Sequence, residues 1–342
     1  MFEVTSRVPT RVDLAGGTLD INPLFHLLEH KATVNMGVNV DAVVRVRSGA
    51  GEEYELTSAD LGVTVTGSRD QVLADPSLPL VTGLLRALWQ PGWPALSIHM
   101  RAASPAGAGL GGSSALGVAL AAALARAAVE VDPDQSFPAG PELVALVQNV
   151  ETALIRVPTG CQDYWGAWYG GYNIIRYPPA GVRVQNLPMT DLPELGEQLL
   201  LVYSGVSRAS ATNNWDIFRE AFAGNQGILD GLNAIGLAAE RAAAALEAGD
   251  TEGLLAASAE EWSLRRKLWP SIETGETRAI DQACRRAGAG LVRICGAGGG
   301  GVMAVFCPPE KREEVARAAR AAGGQILPGG PASTGLEVQP PP

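Results

Sequence analysis

The chain is 342 residues long, more than a single hydrophobic core usually serves, and its 46% hydrophobic and 18% charged composition excludes the disordered class. A formal net charge of −10 repels nucleic acid and anionic membrane, so neither is expected as a partner and any polyanion site must be built locally. Only Lys31, Lys267 and Lys311 are lysines, which leaves a lysine-dependent mechanism few candidates.

The opening Met1-Phe-Glu-Val-Thr-Ser-Arg7 lacks the basic region and apolar run of a signal peptide, so a cytoplasmic location is the expectation. Strand-like stretches at 2–8 and 34–46 flank a Gly16-Gly17 turn, and 23–29 predicts a short helix. Residues 95–102 predict a strand running into Pro105-Ala-Gly-Ala-Gly-Leu-Gly-Gly-Ser-Ser-Ala115. An Ala-rich helix over 113–129 follows, with Ser113 or Ser114 as its N-cap. Its most apolar part, 115–125, meets Arg126 after eleven residues, too short to cross a bilayer, and predicts a buried helix. A further helix is expected over 141–155, then the loop Pro158-Thr-Gly-Cys-Gln-Asp163 and a helix or turn ending at Gly170-Gly171.

Three Pro-containing turns and weak periodicity over 178–198 put a domain boundary there, giving domains 1–185 and 186–330 and a loosely held tail 331–342. The second domain predicts a strand at 198–203, helix through most of 209–246 and helix at 251–267. Strands at 290–294 and 302–307 flank Gly296-Ala-Gly-Gly-Gly-Gly301, and a helix covers 310–322. The four cysteines have no paired spacing and read as reduced structural thiols. His26-Leu-Leu-Glu-His30 fits an inverted zinc-protease pattern. The remaining His99 ends a strand and no cysteine pair supports zinc, so this segment is read as a helix beside the substrate pocket. Trp165, Trp168 and Tyr169 suit either stacking on a ligand or core packing.

Glycine lets a backbone approach a ligand closely, and a helix that starts at a glycine loop adds unsatisfied amides and a positive dipole end. Gly107-x-Gly109-x-x-Gly112 therefore reads as a phosphate cradle made without lysine, formed by Pro105, Gly107, Ala108, Gly109, Leu110, Gly111, Gly112, Ser113 and Ser114. The same glycines satisfy a dinucleotide fingerprint, as do Gly296-x-Gly298-x-x-Gly301, and they also suit a plain strand-to-helix turn. Against a nicotinamide-dependent dehydrogenase, the loop comes more than 100 residues in, without the preceding strand and helix alternation of a doubly wound sheet. No Walker Lys-Ser or Lys-Thr ends any glycine loop.

The full string with its two serines closely resembles the phosphate-binding motif of the GHMP kinases. Pro9-Thr-Arg-Val-Asp-Leu-Ala-Gly-Gly-Thr-Leu-Asp20 resembles that family's first motif and Gly296–Gly301 its third, in the family's order. The resemblance, over residues 7–307, implies an α+β fold of two domains: a mixed α/β N-terminal one and a ferredoxin-like C-terminal one, with a cleft between. It also implies an ATP- and Mg²⁺-dependent kinase for a small acceptor, either a sugar or sugar phosphate (the anomeric hydroxyl being one candidate) or a mevalonate-like acid. The chain is expected as a monomer or homodimer.

By the same resemblance Ser114 and Glu151 hold the metal, with the Ser113-Ser114 pair leaving the serine open by one position. Asp163, twelve residues after Glu151, is the acidic base, and Arg11 pairs with it and steadies the transferring group. Asp13, Gly17, Asp20 and Arg208 are candidates for holding the acceptor. Gln162-Asp163, Gly170-Gly171-Tyr172-Asn173 and Ser207-Arg208 look most similar to the heptose-7-phosphate kinase and fucokinase-like branch, which adds Gly171 and Tyr172 to the acceptor set. The chain departs from that branch in Gly17-Thr-Leu-Asp20 and in Cys161 where lysine is common.

Overall fold

A computed structural model describes residues 1–49, 51–134, 136–207 and 211–339. Twelve strands are described: β1 (Glu3–Ala15), β2 (Ala32–Ser48), β3 (Tyr54–Ser58), β4 (Val63–Gly67), β5 (Leu96–Ala102), β6 (Tyr172–Arg176), β7 (Arg183–Leu187), β8 (Leu199–Tyr203), β9 (Leu291–Ile294), β10 (Val302–Phe306), β11 (Gln325–Ile326) and β12 (Glu337–Gln339). The first sheet runs β12-β1-β2-β5-β3-β4, with β6 and β7 added along β2. Strand β2 is long enough to pair β6 through Ala32 to Met36 and β5 through Ala42 to Ser48. The second sheet, β11-β8-β10-β9, is antiparallel, the split order of a ferredoxin-like domain.

The pattern of β2 explains its place. Its even positions Val34, Met36 and Val38 pack with Ala239, Ala242 and Ala243 of helix Gln226–Glu247. Its odd positions Thr33 and Asn35 are equally buried but polar, so each must find a partner. Thr33 Oγ1 donates to Gly16 O at 2.8 Å, and Asn35 Nδ2 donates to Gln162 O at 3.1 Å. One strand therefore fixes both the Gly16 turn and the start of helix Gln162–Tyr169.

Helix Gly112–Val131 lies in the first core with Leu120, Ala123 and Leu124 buried against Val44 and Val46. It is longer than the sequence reading allowed: by length and composition it could cross a bilayer, yet most of it is buried inside the fold. Residues 331–339 are not a loose tail. Thr5 to Arg7 pair with Gln339 to Glu337, Gly171 N donates to Ala332 O at 2.8 Å, and Leu336 N donates to Trp168 O at 3.0 Å. Those backbone groups need partners, and the edge of β1 and the 168–171 segment supply them. The helix expected over 23–29 is a single 3-10 turn at Leu24–Leu27.

Candidate active site

The glycine loop joins β5 to helix 112–131. The helix begins one residue earlier than expected, with Gly111 as N-cap in the left-handed region at φ 76°, so Ser113 and Ser114 occupy its first turn instead of capping it. A Cβ on Gly111 would stand 2.9 Å from Cβ and Cγ of Asp163, so the loop backbone reaches that carboxylate only because the position is glycine. The third glycine segment backs the loop: Val302 N donates to Ala108 O at 2.7 Å. Ser207 Oγ ties Ala106 O from a third side at 2.7 Å. Arg208, the neighbouring candidate for the acceptor, lies outside the described residues.

Arg11 on β1 is buried and sits where loop and helix meet. Its Nε donates to Asp163 Oδ1 at 2.8 Å and Nη2 donates to the same oxygen, while Nη1 donates to Gly109 O at 2.7 Å. Burial works against the charged guanidinium, but Asp163 and Asp13 outweigh it and hold the group protonated. Ser114 Oγ donates to Glu151 Oε2 at 2.8 Å, and the Tyr164 hydroxyl donates to the same oxygen at 2.7 Å. Ser114 is thus the serine of the pair that faces Glu151, whereas Ser113 is exposed at the cleft. Burial, with Glu151 beside it, pushes the Tyr164 hydroxyl well above its ordinary pKa and keeps it a donor.

Asp20 stands on the same side of the site as Asp163. Its Oδ2 accepts from Gln162 N at 2.9 Å, and Cys161 N donates to Asp20 O at 3.2 Å. Burial raises its carboxyl to about 6, against the lowering effect of the Gln162 amide.

Arg11, Asp20, Gly111, Ser113, Ser114, Glu151, Gln162 and Asp163 line one cleft of about 480 Å³, together with Gly17, Thr18, Pro105, Gly107, Ala108, Gly109 and Gly112. A second wing of the cleft is mostly apolar, built by Leu78, Pro79, Leu80, Met100 and Leu116 with Ser58 at its edge. Nothing in the sequence pattern marked that wing, because its residues come from a strand end, two helices and a loop with no shared motif.

Three assignments to the acceptor need correction. Asp13 is fully buried and ion-paired with Arg293 and Arg265, and it is not among the residues that line the cleft. Tyr172 is fully buried and spends its hydroxyl on Leu192 O at 2.6 Å. Gly171 bonds through its backbone to Gly37 and Ala332. Leu110, read as part of the phosphate loop, turns its side chain into the core, and its carbonyl accepts from Arg11 N at 3.1 Å. His30 pairs with Glu240 at 3.0 Å, and among the described residues no His, Cys, Asp and Glu cluster has metal-holding geometry. Trp165 and Tyr169 stack on each other within the first core, 5.8 Å between centroids. The four cysteines are free and buried.

The GHMP kinases N terminal domain profile matches residues 79–171 and the GHMP kinases C terminal profile matches 242–325. The chain is similar to D-glycero-alpha-D-manno-heptose 7-phosphate kinase of Campylobacter jejuni, 26% identical over 67% of this chain and 66% of that one. It is also similar to mevalonate kinase of Thermococcus sibiricus, 28% identical over 68% and 66%. Each alignment thus spans just under two thirds of the relative's length. Among solved structures, a D-glycero-D-manno-heptose 1-phosphate kinase from Bacteroides thetaiotaomicron superposes with a TM-score of 0.77 at 22% identity, covering 98% of both chains. A glycine loop opening a core helix, an Arg11 and Asp163 pair against it, and both domain profiles in order replace the dehydrogenase reading with one conclusion: the chain belongs to the GHMP kinases.

Proposed function

We propose that this GHMP kinase transfers the γ-phosphoryl group of ATP to a hydroxyl of a sugar or sugar phosphate. The observation that carries the reading is the Arg11 and Asp163 pair set against Gly111 of the phosphate loop. Arg11 engages Oδ1 of Asp163, which assigns Oδ2 to the acceptor hydroxyl: it orients the hydroxyl and takes its proton as the oxygen attacks. Arg11 stays charged beside the transferring group and steadies its equatorial oxygens. Loop amides from 107 to 112 and the start of helix 112–131 receive the phosphates, and the apolar wing takes the base.

Ser114 and Glu151 are hard oxygen donors beside the loop, the kind of set from which Mg²⁺ takes one or two protein ligands, so they fit the metal the family uses. When bound there, Mg²⁺ neutralises charge on the phosphates. Tyr164 holds Glu151 in place for it.

A sugar is favoured over a mevalonate-like acid by the hydrogen-bonding character of the acceptor wall. Asp20 and Asp163 both face the cleft, and two carboxylates on one wall can accept hydrogen bonds from the several neighbouring hydroxyls of a sugar or sugar phosphate, of which a mevalonate-like acid offers fewer. The test is ADP release from MgATP with a set of sugars, D-glycero-alpha-D-manno-heptose 7-phosphate and mevalonate. Turnover with a sugar or sugar phosphate is the expected result. Turnover with mevalonate alone overturns the choice of acceptor, and stabilisation by NAD(P) with none by MgATP overturns the kinase reading.

A further inference from the structure

Asp13 belongs to a cluster of four buried charges. Its Oδ2 accepts from Arg293 Nη2 at 3.1 Å and lies 3.7 Å from Arg265 Nη2. Glu261 meets Arg265 Nη2 at 2.7 Å through Oε1 and Arg293 Nη2 at 3.1 Å through Oε2. None of the four side chains is more than 2% exposed. Two carboxylates and two guanidiniums leave the group neutral overall, which is how such charges are tolerated away from water. Its members come from three places: Asp13 from β1, Glu261 and Arg265 from helix Thr251–Leu268, and Arg293 from β9 of the second sheet.

The same side chains also hold the backbone that leads to the acceptor wall. Gly16 N donates to Glu261 Oε1 at 3.1 Å, Arg265 Nη2 donates to Gly17 O at 2.7 Å, and Arg293 Nη1 donates to Leu14 O. A Cβ on Gly17 would stand 2.5 Å from Asp13 Oδ2 and 2.9 Å from Arg265 Nη2, so the turn lies directly on the cluster. The next residue, Thr18, holds φ 72°, a left-handed conformation that is costly for a β-branched side chain. Such strain persists only where the surroundings over-determine it. Thr18 and Asp20 then line the cleft. On the far side, β9 carries Arg293 and runs through Cys295 to Gly296, which lines the cleft beside the phosphate loop.

We propose that Glu261, Arg265 and Arg293 are positioning residues: with Asp13 they clamp the 16–20 turn so that Thr18 and Asp20 meet the acceptor at a set distance from the phosphate loop. The catalytic part of this inference rests on the kinase reading; the clamp itself does not.

The experiment uses the full chain with Arg265→Lys, which keeps the charge but loses the planar fork that spans Glu261 and Gly17 O, and Glu261→Gln as the second variant. Amide hydrogen exchange at Gly16 and Leu19, whose N–H groups bond to Glu261 and to Gly16 O, is expected to speed at least 10-fold in both variants while helix 112–131 keeps its protection. With the best sugar acceptor of the wild type, KM for that acceptor is expected to rise at least 5-fold with KM for ATP within 2-fold. Unchanged exchange at the turn, or loss of protection spread evenly over the chain, overturns the clamp. Faster exchange at the turn with an unchanged acceptor KM also overturns it as a positioning device. A wild type inert on every sugar sinks the proposed function instead, and the exchange data still decide the clamp. If Arg265→Lys does not fold, Glu261→Gln carries the same readouts.

Discussion

The two walls of the cleft are built from different material. The side proposed to take the phosphates is backbone: a glycine loop, a helix start and a second glycine segment packed behind it through Ala108 and Val302. The side proposed to take the acceptor is side chain: Asp20 and Asp163, braced by Arg11, by the Gln162 amide and by the charges beneath Gly17. Every nucleotide presents similar phosphates, so one backbone cradle can serve many relatives. Acceptors differ in their hydroxyls, and side chains are what can be exchanged to match them.

Four substitutions break or sharpen that contrast, in order of expected size. Asp163→Asn removes the proposed base and leaves the backbone cradle intact; kcat should fall by about 10²–10⁴-fold with ATP affinity retained, measured by steady-state kinetics and nucleotide titration. Near-normal kcat would show that the proton goes elsewhere. Gly111→Ala strikes where the two walls touch, forcing a Cβ toward Asp163 at positive φ. A displacement of the base by about 1 Å should cost on the order of 10²-fold in kcat. An unchanged rate would mean that the loop yields without moving the carboxylate. Ser114→Ala should raise the Mg²⁺ concentration for half-maximal rate about 10-fold, and an unchanged metal dependence would move the ligand to Ser113 or off the loop.

The smallest effect separates the walls by pH. The Asp20 carboxyl, raised to about 6 by burial, binds its proton more tightly in the folded chain than in the unfolded one. Stability is therefore expected to fall as pH rises from about 4 to about 6 and to level off above, a loss of order 3 kcal/mol, and Asp20→Asn should flatten that slope in denaturant titrations. The acceptor KM should rise several-fold as pH drops below 6 in the wild type. If Asp20→Asn leaves both profiles as they were, Asp20 is not the titrating group.

What could be read from sequence follows the same division. The cradle occupies one contiguous string, so its glycines and serines could be recognised without knowing the fold, as could the helices over 141–155 and 251–267. The pairing of Arg11 with Asp163 bridges 152 positions and came from resemblance alone. Asp13 and Asp20 both flank the Gly16-Gly17 turn, which makes each a candidate for binding hydroxyls; only the tertiary fold decides that Asp20 lines the cleft while Asp13 meets Arg293. Glu261 and Arg265 show an ordinary i, i+4 spacing on a helix, which looks the same in solvent as it does in the core. The serine N-cap failed because Gly111 can take the left-handed position that starts the helix earlier.

Strand β12 reverses the usual expectation that a domain is a continuous stretch of chain. It follows the second sheet in sequence yet lies along the outer edge of β1. An uncovered strand edge offers unpaired amides and carbonyls to any passing strand, so the first sheet is shielded by a segment that is synthesised after the whole second sheet. The half of the molecule that carries Arg11 and Asp163 is therefore not a separable piece: cut away from 331–339, it would present a sticky edge and leave its own bonds from Gly171 and to Trp168 unmade.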